Sequence, residues 1–140
     1  MEIFELRSFN ESQLRDLQSL MEQLTHGTEL TSEGLSSVLE DPASRLFVMA
    51  DGKRIVACAT LCVFHSPYTR HASIEDVVVS SDCRGRHLGR RIMEYVLCEA
   101  ARLSPIEVTL TSKPARAAAN ALYQSLGFQR RDTNCYRLDL

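Results

Sequence analysis

The 140 residues contain no run of about 18 apolar positions, so no membrane-spanning helix is expected. The opening Met1-Glu2-Ile3-Phe4-Glu5 carries acids where a secretory signal carries Lys or Arg, which points to a cytoplasmic protein. Positive charge is not in excess either. Sixteen Lys and Arg stand against eighteen Asp and Glu, a net −2, so the global basic footprint of a nucleic-acid binder is missing. Aromatic residues are only 6% of the chain, and none are interleaved with its basic cluster as a base-stacking platform needs. Neither nucleic acid nor a membrane is therefore an expected partner. The five cysteines (Cys58, Cys62, Cys83, Cys98, Cys135) are odd in number and form no C-x-x-C pair, which argues against a disulfide framework or a zinc site. The four histidines show no H-E-x-x-H spacing, so no metal is expected. No repeat, low-complexity tract or linker breaks the chain. What remains is 44% hydrophobic and 24% charged, the make-up of one globular domain over residues 1–140.

The apolar periodicity places the elements. Ile3 to Phe9 reads as a strand. Asn10 reads as a helix N-cap with Gln13 as its capping-box partner, and Phe9 and Leu14 as a staple across it. Leu14, Leu17, Met21 and Leu24 line one helical face up to His26-Gly27. A second helix starts at Thr31 or Ser32 and stops before Asp41-Pro42, since the residue before Pro is driven out of the helical region. Ser44–Ala50 and Lys53–Phe64 form a hairpin about the turn Asp51-Gly52. The return strand is apolar on both faces, with Ile55, Ala57, Ala59 and Leu61 on one and Val56, Cys58, Cys62 and Phe64 on the other; it should lie centrally. His71–Val79 is a further strand, His87–Leu103 a helix and Ile106–Leu110 a strand. A last helix opens at Ser112 to Pro114 and is capped by Gly127. Phe128–Arg131 and Cys135–Leu138 are expected as two closing strands. The order implies a mixed α/β sheet flanked by helices.

The segment from Ile74 to Gly89 is the informative one. A buried strand ends in a tight loop that opens a helix, and the unpaired N–H groups at a helix start favour an anion. Arg84, Arg86, Arg90 and Arg91 place four cations within eight residues of a net-negative chain. A pyrophosphate is the natural ligand.

Arg84-Gly85-Arg86-His87-Leu88-Gly89 resembles the [QR]-x-x-G-x-[GA] signature of the GNAT acetyltransferases. The segment Asn120-Ala121-Leu122-Tyr123-Gln124-Ser125-Leu126-Gly127-Phe128 is similar to that family's second signature, and the element order matches over nearly the whole chain. The resemblance implies a splayed sheet. Acetyl-CoA would be wedged between His71–Val79 and Ile106–Leu110, with Arg84, Gly85, Arg86, His87, Leu88 and Gly89 as the phosphate cradle. His87 departs from the pattern, standing where the family usually has glycine; its amide stays available and its ring can turn outward or meet a phosphate. A narrower likeness, Ile74 to Val79 followed by Arg84-Gly85, is to glucosamine-6-phosphate N-acetyltransferases. It covers about sixteen residues and does not fix the acceptor.

Amine acetylation needs a base for the ammonium, stabilisation of an oxyanion and a proton for the departing thiolate. Glu75 and Asp76 are the candidate bases. Neighbours on a strand point to opposite faces, so only one is expected to face the cleft, Glu75 ahead of Asp76. Backbone N–H groups of Val77, Val78 and Val79 are the candidate oxyanion and cofactor donors. Tyr123 is the candidate acid. By resemblance Asn120, one turn earlier on the same helical face, would bind the pantetheine or pyrophosphate arm. His65, His71, Lys113 and Arg116 are secondary candidates for the acceptor side. The reading is an acetyl-CoA-dependent N-acetyltransferase acting on a small-molecule primary amine, an amino sugar among the options, by direct attack in a ternary complex. The alternatives are a non-catalytic acyl-CoA-binding module and a protein or peptide acetyltransferase. Exposed terminal strand edges point to a homodimer.

Overall fold

The computed structural model describes all 140 residues, Met1 to Leu140. The order is β1 (Glu2–Glu5), α1 (Glu11–Leu24), α2 (Ser32–Glu40), β2 (Ser44–Asp51), β3 (Arg54–His65), β4 (Arg70–Val79), α3 (Leu88–Ala101), β5 (Glu107–Thr109) and α4 (Ala117–Ser125). A single 3-10 turn, Ser81–Cys83, joins β4 towards α3. The five strands lie in sequence order in one sheet. β1 to β4 pair antiparallel, and β5 joins β4 in parallel.

Local signals act where the sequence places them. The Asn10 side chain accepts from the Gln13 amide at 2.8 Å and the Gln13 side chain accepts from the Asn10 amide at 3.0 Å, closing the capping box. Thr31 caps α2 through the Gly34 amide at 2.9 Å. Gly52 takes φ +60° in the hairpin turn. Two hydrophobic clusters sandwich the sheet. Leu17, Leu20 and Leu35 of α1 and α2 pack on one face with Val48 and Cys58. Leu88, Ile92, Met93 and Val96 of α3 pack on the other with Phe47, Met49 and Leu61. β3 is central and covered on both sides, as its doubly apolar pattern requires.

Two bulges change which side chains face which layer. β3 carries an extra residue at Val56, opposite Met49 and Ala50. The alternation therefore slips: Ile55 packs with the α1–α2 cluster, and Val56 joins Ala57, Ala59 and Leu61 in the α3 cluster. β4 carries another at Asp76 and Val77, opposite Ala59. Ala72 and Ile74 before it face the α3 cluster; Val78 after it faces the α1–α2 cluster.

The sheet splays as expected. β5 pairs with β4 only at His71–Ser73 against Glu107–Thr109, so Ile74 to Val79 continue without a partner on that side. The two closing strands are not formed. Residues 129–140 are exposed, and none of them joins a backbone–backbone hydrogen bond. The alternating pattern finds no ladder there: Arg131 reaches Glu107 of β5 through its side chain alone, at 3.4 Å. The first strand is also shorter than its apolar run, and α4 starts at Ala117 rather than at Ser112–Pro114.

Candidate functional site

The phosphate-cradle segment is a helix start left open. α1 and α2 are capped by side chains; α3 is not. Its first amides are thus free for an anion. Gly85 has φ +77°, and His87, at the N-cap, has φ +58° and ψ +22°. His87 therefore adopts the left-handed conformation that glycine takes without penalty, and the loop keeps its path despite the substituted side chain. Gly89 packs closely: a Cβ there would lie 3.5 Å from Leu122 Cδ2 and 3.8 Å from Val79 Cγ2, ordinary contacts that bring α3, α4 and β4 together.

The loop is braced from beneath by Arg54, which the motif reading did not single out. Its guanidinium donates to both Asp82 oxygens, at 2.7 and 3.1 Å, and to Ser80 Oγ at 3.2 Å; Ser80 Oγ donates to Asp82 at 2.6 Å. Arg54 first and Ser80 second hold the Asp82 carboxyl well below the usual carboxylate range. Of the four arginines, Arg84 donates to the Val79 carbonyl at 3.4 Å, while Arg90 is occupied by Glu94 and Ser125. The guanidinium groups of Arg86 and Arg91 make no hydrogen bond or ion pair within the chain and are free to meet an anion. Leu88 is buried and serves as an anchor for the helix start.

Beside this loop lies a cavity of about 330 Å³, lined by Glu75, Asp76 and Val77 of β4, by Leu110–Lys113 after β5, by Arg116 and Tyr123, and by Leu24 and Thr25. Both acids line it, so the expectation that only one would do so does not hold. The bulge is the reason. Asp76 has φ +53°, which breaks the two-residue alternation, and Asp is among the few residues that tolerate this region. Glu75 accepts a hydrogen bond from the Ser73 hydroxyl. The Asp76 carboxylate has no partner; enclosure by the cleft walls, then the charge of Glu75, raises its pKa. The Asp76 carbonyl accepts a long contact from Cys58 Sγ at 3.7 Å. Burial, then the Asp76 charge, pushes the Cys58 thiol up to about 12, so it stays neutral.

Tyr123 reaches the same cavity from α4, its ring edge-on to Phe128 at 6.1 Å. Burial raises its pKa, opposed by the nearby Arg116, and its hydroxyl bonds to no protein group. The phenol therefore keeps its proton at neutral pH. Asn120 lies on α4, as expected, one turn before Tyr123. Its amide donates to the Lys113 and Pro114 carbonyls at 3.0 and 3.5 Å and ties down the loop before α4; it does not line the cavity. Two further groups were not legible. Ser112 Oγ is buried in the cavity lining and unpartnered, and the end of α1 adds Leu24 and the following Thr25 to that lining. There Gln23 Oε1 accepts from the Ser81 amide at 2.8 Å, and Arg116 donates to the Leu24 carbonyl at 3.1 Å. His65 and His71 sit at the far end of the β3–β4 hairpin, with His71 stacked on Phe64, away from the cavity lining.

The arrangement fits a long thioester cofactor. It offers an unpaired strand edge for amide groups, an uncapped helix start for phosphates and an orphaned hydroxyl in the cavity lining. A family model described as an acetyltransferase (GNAT) domain matches residues 42–130. Among solved structures, a protein of Agrobacterium tumefaciens str. C58 provisionally named an acetyltransferase aligns with a TM-score of 0.85 at 24% identity, over 99% of this chain and 100% of its own. An acetyltransferase of Trypanosoma brucei aligns at 0.78 and 28% identity, over 99% of each chain. Glucosamine-6-phosphate N-acetyltransferase of Arabidopsis thaliana aligns at 0.77 and 18% identity, over 98% of this chain and 97% of its own.

Proposed function

The chain belongs to the GNAT family of acetyltransferases, and from that premise we propose that it moves an acetyl group from acetyl-CoA to a primary amine on a small molecule. One observation carries the reading: two carboxylates, a protonated tyrosine and an unpaired strand edge line one cavity beside an uncapped, arginine-flanked helix start. The pyrophosphate is held by the amides at residues 85–89 with Arg84 and Arg86. The pantetheine arm lies along β4 between Val77 and Val79.

The amine arrives mostly as ammonium and must lose a proton before it attacks. Asp76 takes that proton, directly or through water. Its carboxylate is unpartnered and its pKa is raised by enclosure, whereas Glu75 is already engaged by Ser73. Glu75 adds charge that draws the cation and lifts the proton affinity of Asp76. The amine nitrogen bonds to the thioester carbon, and a freed amide of Val77 to Val79 meets the oxyanion. The carbon–sulfur bond then breaks, Tyr123 gives its proton to the leaving thiolate, and the second proton shed by the new amide nitrogen restores the phenol. No covalent enzyme intermediate is needed. A small acceptor is favoured over a peptide by the size of the cavity, about 330 Å³, two of whose walls are joined by the Arg116–Leu24 bond. The decisive experiment is acetyl-CoA turnover against amino sugars, polyamines, amino acids and peptides. Turnover of a small amine is expected; turnover of peptides alone, or of nothing despite tight CoA binding, overturns the reading.

A further inference from the structure

The acids of the cavity have a task in the proposed chemistry; its cations have none. Glu75 and Asp76 come from β4, Lys113 and Arg116 from the segment between β5 and α4, and all four line the same space of about 330 Å³. None of the four belongs to an ion pair. Elsewhere the chain pairs its charges readily: Arg45 with Glu5 and Glu99, Arg54 with Asp82, Arg90 with Glu94. Two acids and two bases that line one cavity without meeting stand too far apart to neutralise one another. The Asp76 carboxyl agrees with that separation: burial and Glu75 raise its pKa, and neither cation offsets them. Arg116 acts instead on Tyr123, where it opposes the effect of burial.

The basic wall is held in place. The Lys113 carbonyl accepts from the Arg116 amide and from the Asn120 side chain, each at 3.0 Å, so the root of Lys113 is fixed. Its ammonium bonds to no protein group. Arg116 donates one N–H to the Leu24 carbonyl at 3.1 Å, which keeps the guanidinium at the cavity and leaves its other donors open. Next to Lys113 in the chain, Ser112 Oγ is enclosed and unpartnered. A buried hydroxyl without a partner and two cations without anions call for the same thing, a group rich in acceptor oxygens.

We infer that the acceptor of this site is an amine bearing its own anionic group, a carboxylate or a phosphate, held by Lys113 and Arg116 with the Ser112 hydroxyl while its ammonium end faces Glu75 and Asp76. The inference rests on the acetyltransferase reading and narrows its substrate class. A dipolar ligand neutralises both walls at once. A diamine would bring its second charge beside two cations, and a neutral amine leaves them unmatched. The same two cations orient the acceptor: the anion docks at one end only, so the amine is left beside the base.

The test is steady-state turnover at saturating acetyl-CoA with matched acceptors: O-phosphoethanolamine against ethanolamine, glucosamine 6-phosphate against glucosamine, and 4-aminobutyrate against 1,4-diaminobutane. In at least one pair the anionic member should have the higher kcat/KM by at least about tenfold, the worth of one charge-assisted contact, and the pairs that respond tell phosphate from carboxylate. Lys113→Gln should raise the KM for the preferred acceptor by about tenfold while the KM for acetyl-CoA stays within a few-fold. Lys113→Glu should erase or invert the preference. Equal rates within every pair, or a preference for the neutral amine or the diamine, overturn the inference and leave the acetyltransferase reading standing. A rise in KM confined to acetyl-CoA overturns it too, because Lys113 would then serve the cofactor. No turnover of any acceptor despite tight acetyl-CoA binding brings down the acetyltransferase reading, and the inference with it. Far-ultraviolet circular dichroism and the melting temperature of each variant separate lost recognition from lost folding.

Discussion

Asp76 and Glu75 differ by one position in a strand and by much more in environment. The bulge turns both towards the cavity, but only Asp76 is without a partner there. Asp76→Asn preserves size and the tolerance for φ +53°, so its loss reads chemistry rather than folding. It should lower kcat by about 10²–10⁴ while acetyl-CoA binding holds. Glu75→Gln should cost less and should move the acid limb of the rate profile. That limb falls as pH drops through the raised pKa of Asp76, and removing the Glu75 charge lowers that pKa, so the limb shifts to lower pH. A larger loss from Glu75→Gln, with an unmoved limb, would reverse the two roles. Tyr123→Phe keeps the ring against Phe128 and should cut kcat with little change in cofactor affinity. His87 makes the opposite argument. Its left-handed backbone costs on the order of 1–2 kcal/mol in a non-glycine residue, partly offset by the extra chain entropy glycine would lose. His87→Gly should therefore leave the melting temperature unchanged or raised. Weaker acetyl-CoA binding in that variant, measured by calorimetry, would show that the ring itself meets the phosphates.

Elements decide how far such residues can be trusted to stay in place. The loop between β4 and α3 depends on Arg54, in a strand whose role reads from sequence as purely structural. Asp82→Asn or Arg54→Ala should raise the KM for acetyl-CoA more than that for the acceptor, because the brace lies under the phosphate end. The pH dependence has a definite sign. Asp82 is depressed in the folded protein, so its contribution to stability is present above the unfolded value near 3.8 and is lost as pH falls through the lower folded value. Acid titration of Asp82→Asn should lack that component. The helices and the first four strands were legible because each carries its own signal: a capping box at Asn10, a turn at Asp51-Gly52, an apolar period. The open start of α3 was marked by the glycines and arginines that cluster before it. The bulges were not, since an extra residue in a strand leaves no mark on composition, and a strict alternation rule then misplaces Ile55, Val56 and one of the two acids. The partners of the Asn120 amide were not legible for a related reason: the motif gives its position, but the Lys113 and Pro114 carbonyls that it meets come from a loop whose path no local pattern encodes.

At the scale of the whole molecule, the cavity sits between a well-packed part and a lightly packed one. β4 and α3 belong to a core with Ala57, Leu61, Ile92 and Val96 almost wholly buried. β5 and α4 meet them across the splay through a three-residue ladder, the Arg90–Ser125 bond and side chains such as Leu122 and Phe128 that are only partly buried, while Arg116 ties the start of α4 to Leu24 of α1. Segments with few buried contacts open locally at a fraction of the global cost, so α4 should exchange its amides far faster than α3 in the free protein. A cofactor that touches β4 on one side and the β5–α4 wall on the other makes the missing contacts. Acetyl-CoA at a hundred times its dissociation constant should add about 2.7 kcal/mol of stability and raise the melting temperature. The gain should be unevenly distributed. Exchange at Ala118 to Tyr123 should slow strongly, while Ile92 to Val96, already buried in the core, should change only with the global stability. Uniform slowing across both helices would mean that the cofactor binds a rigid, preformed cleft. No change in α4 would mean that it binds without engaging that wall, and Tyr123 would then be too loosely held to serve as the acid.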